Sequence, residues 1–409
     1  MPEATKTFEY AVRDRSGKLV KGRIEASNSA AVANRLKTMG LAPISIDEVS
    51  NTGLKRELKI PGFSNRVKLK DLSIMARQLA TMITAGLSIL RALNILAEQT
   101  ENPTLAKVLG QVRSDVETGS SFSQGLTKHP LVFPPLMINM IKAGEVGGFL
   151  DTVLVSVADN FEAEVRLRGK VKSAMTYPVV VFCIAIVAVV GMLIFIVPVF
   201  TTMFASLGGE LPAPTKVLVF LSAVMKWTAL PLIVGLIAFV GWWSKHKNDR
   251  AIRERLDPIK LKMPVFGNLI RKIAVARFTR NFGTMLRSGV PILQALDIVG
   301  ETSGNIVIER AARSVQESVR SGQSLTGPLS QHPVFPPMVV QMMAVGEDTG
   351  ALDLMLEKIA EFYDQEVEAT TDALTSLIEP LMIAVLGTVI GGMIVALYMP
   401  IFGVFDLIK

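Results

Sequence analysis

Residues 129–135 of the chain read HPLVFPP, and residues 332–337 read HPVFPP, which is one residue shorter. Proline fixes the backbone φ angle and removes a hydrogen-bond donor, so neither stretch is compatible with a helix interior. Both stretches nevertheless lie between segments that have the apolar period of a helix. A helix-breaking stretch that occurs twice in one chain predicts an internal repeat.

Alignment of the chain with itself extends this repeat. The segment RQLATMITAGLSILRALNILAEQ, residues 77–99, aligns with RNFGTMLRSGVPILQALDIVGET, residues 280–302. The further matches are AGEVGGFLD (143–151) with VGEDTGALD (345–353), and Pro178 and Pro198 with Pro380 and Pro400. The repeat unit is therefore a helical domain followed by an apolar segment.

Each proline stretch is interpreted as a sharp turn before a helix. Pro134 and Pro135 close the first turn, and Pro336 and Pro337 close the second. Proline is well suited to the first position of a helix, because the N–H that it lacks would have no partner there. The alternative is a metal site at the histidine of each turn, but the sequence places no further ligands at a usable spacing.

A glycine–acid motif follows each turn. The motif residues are Gly144, Glu145 and Gly148 in the first repeat, and Gly346, Glu347 and Gly350 in the second. The glycines predict the end of one helix and a reversal into the next. The acids, with Asp151 and Asp353, have two interpretations: they cap the helix start, or they bind a hard cation such as Ca²⁺. We favour capping, because two carboxylates are too few for a cation site.

Three apolar segments are long enough to cross a bilayer. They are VVVFCIAIVAVVGMLIFIV (179–197), WTALPLIVGLIAFVGWW (227–243) and LMIAVLGTVIGGMIVALYMPIFGVF (381–405). The mean hydropathy of +0.41 agrees with a membrane protein. We therefore predict transmembrane helices at 173–204, 217–243 and 376–405, with a short external loop at 205–216.

The flanking charges predict the orientation of these helices. VRLRGKVK precedes the first span, and the connector 244–272 is also rich in lysine and arginine. By the positive-inside rule both basic flanks are cytoplasmic. The N-terminal residues lack the apolar core of a signal peptide. We expect a multi-pass protein with a cytoplasmic N-terminus and an external C-terminus.

The remaining sequence completes a mainly α fold. Residues 1–50 predict a small ββαβ domain, and residues 51–69 read as a linker. Two homologous cytoplasmic helical-bundle domains are predicted at 70–172 and 273–375, separated by the basic cytoplasmic connector.

The net charge of +7 raises the question of nucleic acid binding. The basic residues gather beside the apolar segments, however, and lack interleaved aromatic residues for base stacking. A lipid bilayer, and no nucleic acid, is therefore the expected partner of the basic residues. The single cysteine, Cys183, excludes a disulfide within the chain.

The sequence contains no recognisable catalytic motif. It lacks the Gly-rich GK[ST] nucleotide loop, the nucleophile elbow and the zinc-protease helix. We therefore expect no enzyme activity and no cofactor. The alternative function is an oligomeric transporter or channel, although the centres of the apolar segments carry no ionisable residue. Gly387, Gly391 and Gly392 permit close helix contact, either with another copy or, as we favour, within the chain.

Taken together, the motifs resemble one family. They are GEVGGFL and GEDTGAL, the two proline turns, YP at 177–178, EP at 379–380, and FEYAVRDRSGKLVKGRIEA at the N-terminus. In this order they resemble the type II secretion F-domain family, the inner-membrane platform proteins of type IV pilus and type II secretion systems. The resemblance covers nearly the whole chain.

This resemblance implies a location and a set of partners. The location is the bacterial cytoplasmic (inner) membrane. The implied partners are a cytoplasmic secretion or pilus ATPase, pilin or pseudopilin subunits, other inner-membrane assembly proteins, and further copies of the chain in a homo-oligomer. Arg250, Arg253 and Arg255 in the basic connector are candidate partner contacts. Both a pilus and a secretion machine fit these features.

Overall fold

A computed structural model describes residues 6–13, 19–26, 29–38, 42–48, 66–206, 211–247 and 249–407. The chain divides into two compact units, Met1–Arg66 and Val67–Lys409. Most of the predicted linker, residues 51–65, lies outside the described residues, as do residues 207–210 of the predicted external loop.

The first unit contains three strands and one helix. These are β1 (Lys6–Arg13), β2 (Leu19–Ala26), α1 (Ser29–Thr38) and β3 (Ala42–Glu48). The strands form an antiparallel sheet in the order β2-β1-β3, in which Phe8 of the central strand pairs with Ile24 and Glu48. The unit is thus a small sheet whose connection from β2 to β3 contains the helix.

The second unit is helical wherever the structure describes regular elements in it. The first repeat comprises α2 (Leu69–Thr84), α3 (Ile89–Gln99), α4 (Pro103–Glu117), α5 (Phe122–Thr127), α6 (Pro135–Gly147) and α7 (Leu150–Gly191). A π-helical segment (Met192–Ile196) then leads into α8 (Val197–Ser206), which is followed by α9 (Ala213–His246) and α10 (Arg250–Lys262). The second repeat comprises α11 (Phe266–Arg287), α12 (Ile292–Thr302), α13 (Ile306–Arg320), α14 (Thr326–Gln331), α15 (Pro337–Thr349) and α16 (Leu352–Leu407).

Corresponding helices of the two repeats begin for the same local reasons. Asn102 precedes α4 and Asn305 precedes α13, and each asparagine side chain accepts a hydrogen bond from a backbone N–H of the first turn. This satisfies groups that otherwise lack a partner at a helix start. Pro135 and Pro337 are the first residues of α6 and α15. The two repeats therefore share their helix boundaries as well as their sequence.

The proline turns are anchored by an aromatic side chain. Phe133 in the first turn and Phe335 in the second are both buried. The ring of Phe335 lies edge-on to Phe278 of α11, with 5.2 Å between ring centroids. The backbone carbonyl of His129 accepts hydrogen bonds from the N–H groups of Val132 and Phe133, which closes the turn. Each turn is thus fixed to the core of its bundle.

The buried apolar residues of both bundles form one continuous core. It includes Leu79, Leu93 and Phe161 from the first repeat, and Phe282 and Tyr363 from the second. Because apolar burial is the main stabilising term in folding, a shared core makes the two bundles a single packed body. The two predicted bundle domains do not have separate cores in this part of the chain.

Three helices are long and apolar enough to cross a membrane: Leu150–Phe204, Ala213–His246 and Leu352–Pro400. They meet one another at a small apolar cluster that includes Leu193, Leu218 and Leu397. The hydroxyl of Ser222 donates to the carbonyl of Leu193 at 2.5 Å, and the hydroxyl of Thr215 donates to the carbonyl of Ala396 at 2.5 Å. The prediction of a mainly α fold with two repeated bundles and three apolar helices is confirmed.

The first and third of these helices begin inside the bundles. The helix α7 starts at Leu150 and crosses the predicted boundary between residues 172 and 173 without interruption, and α16 does the same across 375 and 376. Pro178 and Pro380 lie within these helices and do not end them. Each bundle is therefore joined to its apolar segment by an unbroken helix.

One expectation about the apolar segments is wrong. We expected Gly387, Gly391 and Gly392 to permit close packing within the chain. A Cβ atom added at any of these three positions would meet no atom within 4 Å, so none of them is a site of close contact in the described structure. Helix contacts within the chain instead use the larger side chains of the apolar cluster.

The glycines of the two motifs do permit close approach. Gly148 and Gly350 end α6 and α15 with φ angles of 76° and 71°, a left-handed conformation that glycine adopts without strain. A Cβ atom at Gly144 would lie 2.9 Å from Cγ2 of Val153 and 3.1 Å from Cα of Leu150. The start of α7 therefore packs directly onto the backbone of α6.

We expect Gly144→Ala to lower the thermal stability of the purified full chain by roughly 1–3 kcal/mol, because the added methyl group forces α6 and α7 apart. The matched control is Gly110→Ala in α4, where a Cβ atom meets open space. That substitution should raise stability by about 0.5–1 kcal/mol, since alanine has the better helix propensity. A melting temperature for Gly144→Ala at or above that of the control would contradict this account.

Candidate functional site at the junction between the repeats

The acids of the two glycine motifs cap short helices. The Glu145 carboxylate accepts hydrogen bonds from the backbone N–H of Phe122 at 2.6 Å and of Ser123 at 2.9 Å, at the start of α5. Glu347 accepts one from the N–H of Leu325 at 2.8 Å, just before α14. We expected the acids to cap the helix that follows each motif. Asp151 and Asp353 do lie in the first turn of that helix, but each glutamate instead caps the short helix that precedes its own. Both glutamates thus make their hydrogen bonds within their own bundle. The described residues contain no group of three or more metal-ligating side chains.

An ion pair in the same place in both repeats ties the first helix to the last. Arg77 of α2 contacts Glu162 at 2.6 Å and Asp159 at 2.5 Å, both on α7. At the matching positions, Arg280 of α11 pairs with Asp364 of α16. Hydrogen bonds to Glu162 and then Asp159 raise the pKa of Arg77, and the bond to Arg77 lowers the pKa of Glu162. Both groups therefore remain charged at neutral pH.

A buried polar seam joins the first repeat to the second. The side-chain amide of Asn160 on α7 donates to the Asn281 side-chain oxygen on α11 at 3.0 Å, and both residues are buried. The Asn160 amide also lies 3.5 Å from the hydroxyl of Thr284. A buried amide without a partner costs free energy, so this pairing favours one register between the two helices.

Glu164 is the charged centre of this seam. Arg277 of α11 donates to its two carboxylate oxygens at 2.6 and 3.2 Å, and Arg168 donates at 2.7 Å. Burial acts to raise the pKa of Glu164, but the charges and hydrogen bonds of Arg277 and Arg168 outweigh it, and the net pKa lies below the usual glutamate value. The carboxylate is therefore ionised and held in place by two guanidinium groups.

The seam continues along α7 and α16 towards the apolar segments. Lys170 pairs with Glu368 across the two helices, and Lys272 of α11 contacts Glu366 at 2.6 Å. Beside these ion pairs lies an apolar cluster of Leu167, Leu269, Val367 and Leu374. The two long helices are thus in contact just before they become apolar.

A second group of contacts joins α6 to α12. The Gln294 side-chain amide donates to the side-chain oxygen of Asn139 at 2.9 Å. Phe149, at the α6–α7 turn, lies close to Gly289. A Cβ atom added at Gly289 would be 3.3 Å from the Phe149 ring. The first repeat therefore uses its α6–α7 end to contact the α11–α12 end of the second repeat.

A cavity of about 200 Å³ lies beside the seam, between α7, α11 and α16. Its charged lining residues are Arg166, Arg280, Arg287, Asp159, Glu357, Glu361 and Asp364. Arg287 is paired with Glu357 at 2.7 Å, and the opposite charges in the lining nearly balance. This arrangement supports the contact between helices better than it supports catalysis.

The three arginines predicted as partner contacts lie on α10, in different surroundings. Arg250 is exposed and lies 3.4 Å from Glu254 in the next turn, and Arg255 is exposed with no ion pair among the described residues. Arg253 instead faces inward, 3.6 Å from Asp257 and 3.9 Å from Glu309 of α13. The buried Asp257 also accepts a hydrogen bond from the N–H of Ile306 at 3.1 Å. Arg253 therefore helps attach α10 to the second bundle.

The sequence analysis missed the seam residues Asn160, Glu164 and Arg277. The signal that could have found two of them is a mismatch between the repeats. Asn160 corresponds to Phe362, and Arg277 corresponds to Ile74. A polar residue in one repeat whose counterpart is apolar marks a surface that the two repeats use differently.

Comparisons with known proteins agree with this architecture. The family described as type II secretion system (T2SS), protein F matches residues 75–198 and again residues 278–400. The N-terminal domain of type II secretion system protein F matches residues 1–47. The chain belongs to the type II secretion system protein F family. The resemblance drawn from the motifs is confirmed, and the double match contains both repeats.

Relatives in this family match along nearly their whole length. The type IV pilus assembly protein PilC of Myxococcus xanthus is 44% identical over 400 residues, covering 98% of this chain and 95% of the relative. PilC of Thermus thermophilus is 44% identical over 396 residues, covering 97% of each. The type II secretion system protein F of Vibrio cholerae is 33% identical over 396 residues, covering 96% of this chain and 97% of the relative. Together with the three apolar helices, these relatives identify an inner-membrane protein of the pilus and secretion family.

We expect Glu164→Gln to lower the free energy of unfolding by roughly 1–3 kcal/mol at neutral pH, because it leaves the charge of Arg277 partly buried and uncompensated. The loss should depend on pH. A carboxylate whose pKa is lowered in the folded state stabilises the fold above its unfolded pKa of about 4.3, and loses that contribution as the pH falls towards its folded pKa.

The measurement is the difference in melting temperature between the unsubstituted chain and Glu164→Gln as the pH is lowered from neutral. The difference should shrink as the pH falls below about 4. The control is Glu317→Gln, since Glu317 forms only an exposed pair with Arg320 in its own helix. Equal losses for the two variants would count against a central role for Glu164.

Proposed function

We propose that the chain is the inner-membrane platform of a type IV pilus or type II secretion machine. In this role it couples the motion of a cytoplasmic ATPase to the movement of pilin or pseudopilin subunits in the membrane. Membership of the family supports the general role. The physical basis for the coupling is the connection between the bundles and the apolar segments.

One observation carries this proposal: α7 and α16 are continuous from the bundles into the apolar segments. An α-helix is stiff over several turns, because its backbone N–H groups are bonded to the carbonyls four residues before them. Pro178 and Pro380 each lack one such bond, but α7 and α16 continue through them as helices. The two bundles also share one core, and the Glu164 seam links them. A force applied to either bundle therefore reaches both apolar segments.

The proposed orientation places both bundles in the cytoplasm. The basic residues of α10 and of the α7 segment before Pro178 support it, through the positive-inside rule. In this orientation the bundles are accessible to a cytoplasmic ATPase, and the apolar segments are accessible to subunits held in the membrane. Cysteines introduced at Ser120 and Arg320 should both react with a membrane-impermeant thiol reagent only after the cells are opened. Labelling of either one in intact cells would contradict the orientation.

The apolar contact among the three spans favours a support over a pore. Leu193, Leu218 and Leu397 fill the place where the spans meet. Close-packed apolar side chains exclude water, whereas a channel needs a polar or open path. The platform function therefore fits the described spans better than the alternative of a transporter or channel.

The coupling proposal predicts that a break in α7 uncouples the machine. Lys172→Pro removes one backbone hydrogen bond and places the proline ring against the carbonyl of Arg168, a cost of about 3 kcal/mol or more in a helix interior. Lys172 is exposed, so the substitution should leave the bundle core intact. We expect normal protein levels and normal capture of the ATPase by crosslinking, but loss of most fibre or secretion output.

Lys172→Ala is the matched control, because it removes the same charge and retains the helix. Output should stay near that of the unsubstituted chain. Full output from Lys172→Pro would refute coupling through α7. Loss of output from both variants would assign the effect to the charge and not to helix continuity.

The exposed arginines of α10 predict a second, separable effect. Arg255→Glu should reduce crosslinking to the ATPase with no change in melting temperature, because Arg255 makes no ion pair among the described residues. Arg253→Glu should instead lower the stability of the purified chain by roughly 1–3 kcal/mol, since it places a third acid beside Asp257 and Glu309. Unchanged capture with Arg255→Glu would remove α10 as a docking surface.

A further inference from the structure

The contact between the two repeats is one-sided. The α6–α7 end of the first repeat packs against α11, α12 and α16 of the second. The counterpart contact would join α15 and α16 of the second repeat to α2 and α3 of the first. No comparable packing of those helices occurs among the described residues. In a head-to-tail contact of this kind, each repeat uses only one of its two faces. The other face of the first repeat and the other face of the second repeat remain uncovered within the chain.

The unused face of the first repeat lies on α2 and α3. Its residues occupy the positions that in the second repeat contact the first: Ile74 corresponds to Arg277, Gln78 to Asn281, Thr81 to Thr284, Gly86 to Gly289, and Arg91 to Gln294. All five residues, four on α2 and α3 and Gly86 in the turn between them, are exposed. Ile74 in particular is 49% exposed, which is unusual for an isoleucine in a packed bundle.

The unused face of the second repeat lies on α15 and α16. Phe362 corresponds to Asn160, Glu366 to Glu164, and Gln341 to Asn139. Glu366 pairs with Lys272 of its own bundle, as Glu164 does with Arg168, and its side chain is still 39% exposed. The side chain of Phe362 is 41% exposed, and its one aromatic neighbour within the described chain is Tyr363, the next residue. Asn160, at the matching place, is buried at 5% exposure by the second repeat.

We propose that a second copy of the chain covers these faces. The α15–α16 face of one copy docks on the α2–α3 face of the next. This contact between two copies has the same geometry as the contact between α6–α7 and α11–α12 within one chain. In this arrangement Phe362 lies against Gln78 and Thr81, the counterparts of the two residues that Asn160 contacts, and Glu366 lies opposite Ile74. The contact is more apolar than the one within the chain, which suits two surfaces that are solvated before they meet.

The geometry favours a second copy over an unrelated partner. Both halves of the contact are present on one chain, and their counterparts already fit each other in the α7–α11 seam. The helices α7 and α16 leave the bundles on the same side, since Lys170 of one pairs with Glu368 of the other just before both become apolar. A neighbour placed by the same operation keeps its spans in the same bilayer. The contact goes beyond the coupling proposed above and does not depend on it.

The test uses substitutions of opposite charge at Ile74 in the full-length chain. Ile74→Arg restores the residue type found at Arg277, and should pair with Glu366 of the neighbouring copy and strengthen self-association by roughly threefold. Ile74→Glu faces that same carboxylate, and should weaken self-association by about tenfold. Self-association is measured by fluorescence transfer between two labelled populations in lipid vesicles at varied protein-to-lipid ratios.

The matched control is Leu131, a leucine in the first proline turn that is 99% exposed and lies outside both faces. Leu131→Arg and Leu131→Glu should leave self-association unchanged. Effects of the same sign from Ile74→Arg and Ile74→Glu, or no effect from either, would overturn the proposal.

A crosslinking experiment identifies the chains involved. In a Cys183→Ser background, one tagged copy carries Gln78→Cys and a differently tagged copy carries Phe362→Cys. Oxidation should join the two tags, whereas either variant alone should give no disulfide-linked species. If the two cysteines form a bond only when they are placed in the same chain, or form none in any combination, the contact between copies is refuted.

Discussion

The Glu164 carboxylate between Arg277 and Arg168 is the interaction on which the arrangement of the bundles depends. Two bundles with similar apolar surfaces could pack in several registers, because apolar contact has little directional preference. A partly buried carboxylate with two guanidinium partners, beside an amide pair at Asn160 and Asn281, is satisfied in one register only. The polar seam therefore selects the geometry, and the shared core stabilises it.

That geometry determines what the bundles can do. Because the seam lies on α7, the helix that enters the first apolar segment, the position of the second bundle is fixed relative to that segment. The ion pairs Lys170–Glu368 and Lys272–Glu366 fix the position of α16 in the same way, because they join it to α7 and α11. The described residues use their charges to hold helices together, and this agrees with the support role proposed above.

The sequence predicted the features whose signals are local or repeated. The apolar segments follow from hydropathy, and the turns follow from proline at Pro135 and Pro337, because both signals act within a few residues. The role of Glu145 could not be predicted in the same way, since the N–H groups that it caps lie at Phe122 and Ser123, in a different helix. The seam was missed for a related reason: Asn160 and Arg277 act across the two repeats, and no periodic pattern encodes that pairing. The packing expected at Gly387 failed because small residues permit close contact without requiring it.

The π-helical segment at Met192–Ile196 has a consequence for the symmetry of the molecule. It lies where the ring of Pro198 would otherwise press against the carbonyl of Ile194, and its wider turn relieves that crowding. A π turn holds roughly one residue more than an α turn, so every side chain beyond it is rotated by about 100° about the helix axis. The matching Pro400 lies in α16, which stays α-helical throughout. The backbone therefore approaches Pro198 and Pro400 by different paths, and the likeness between the two bundles does not extend to the ends of the spans that follow them.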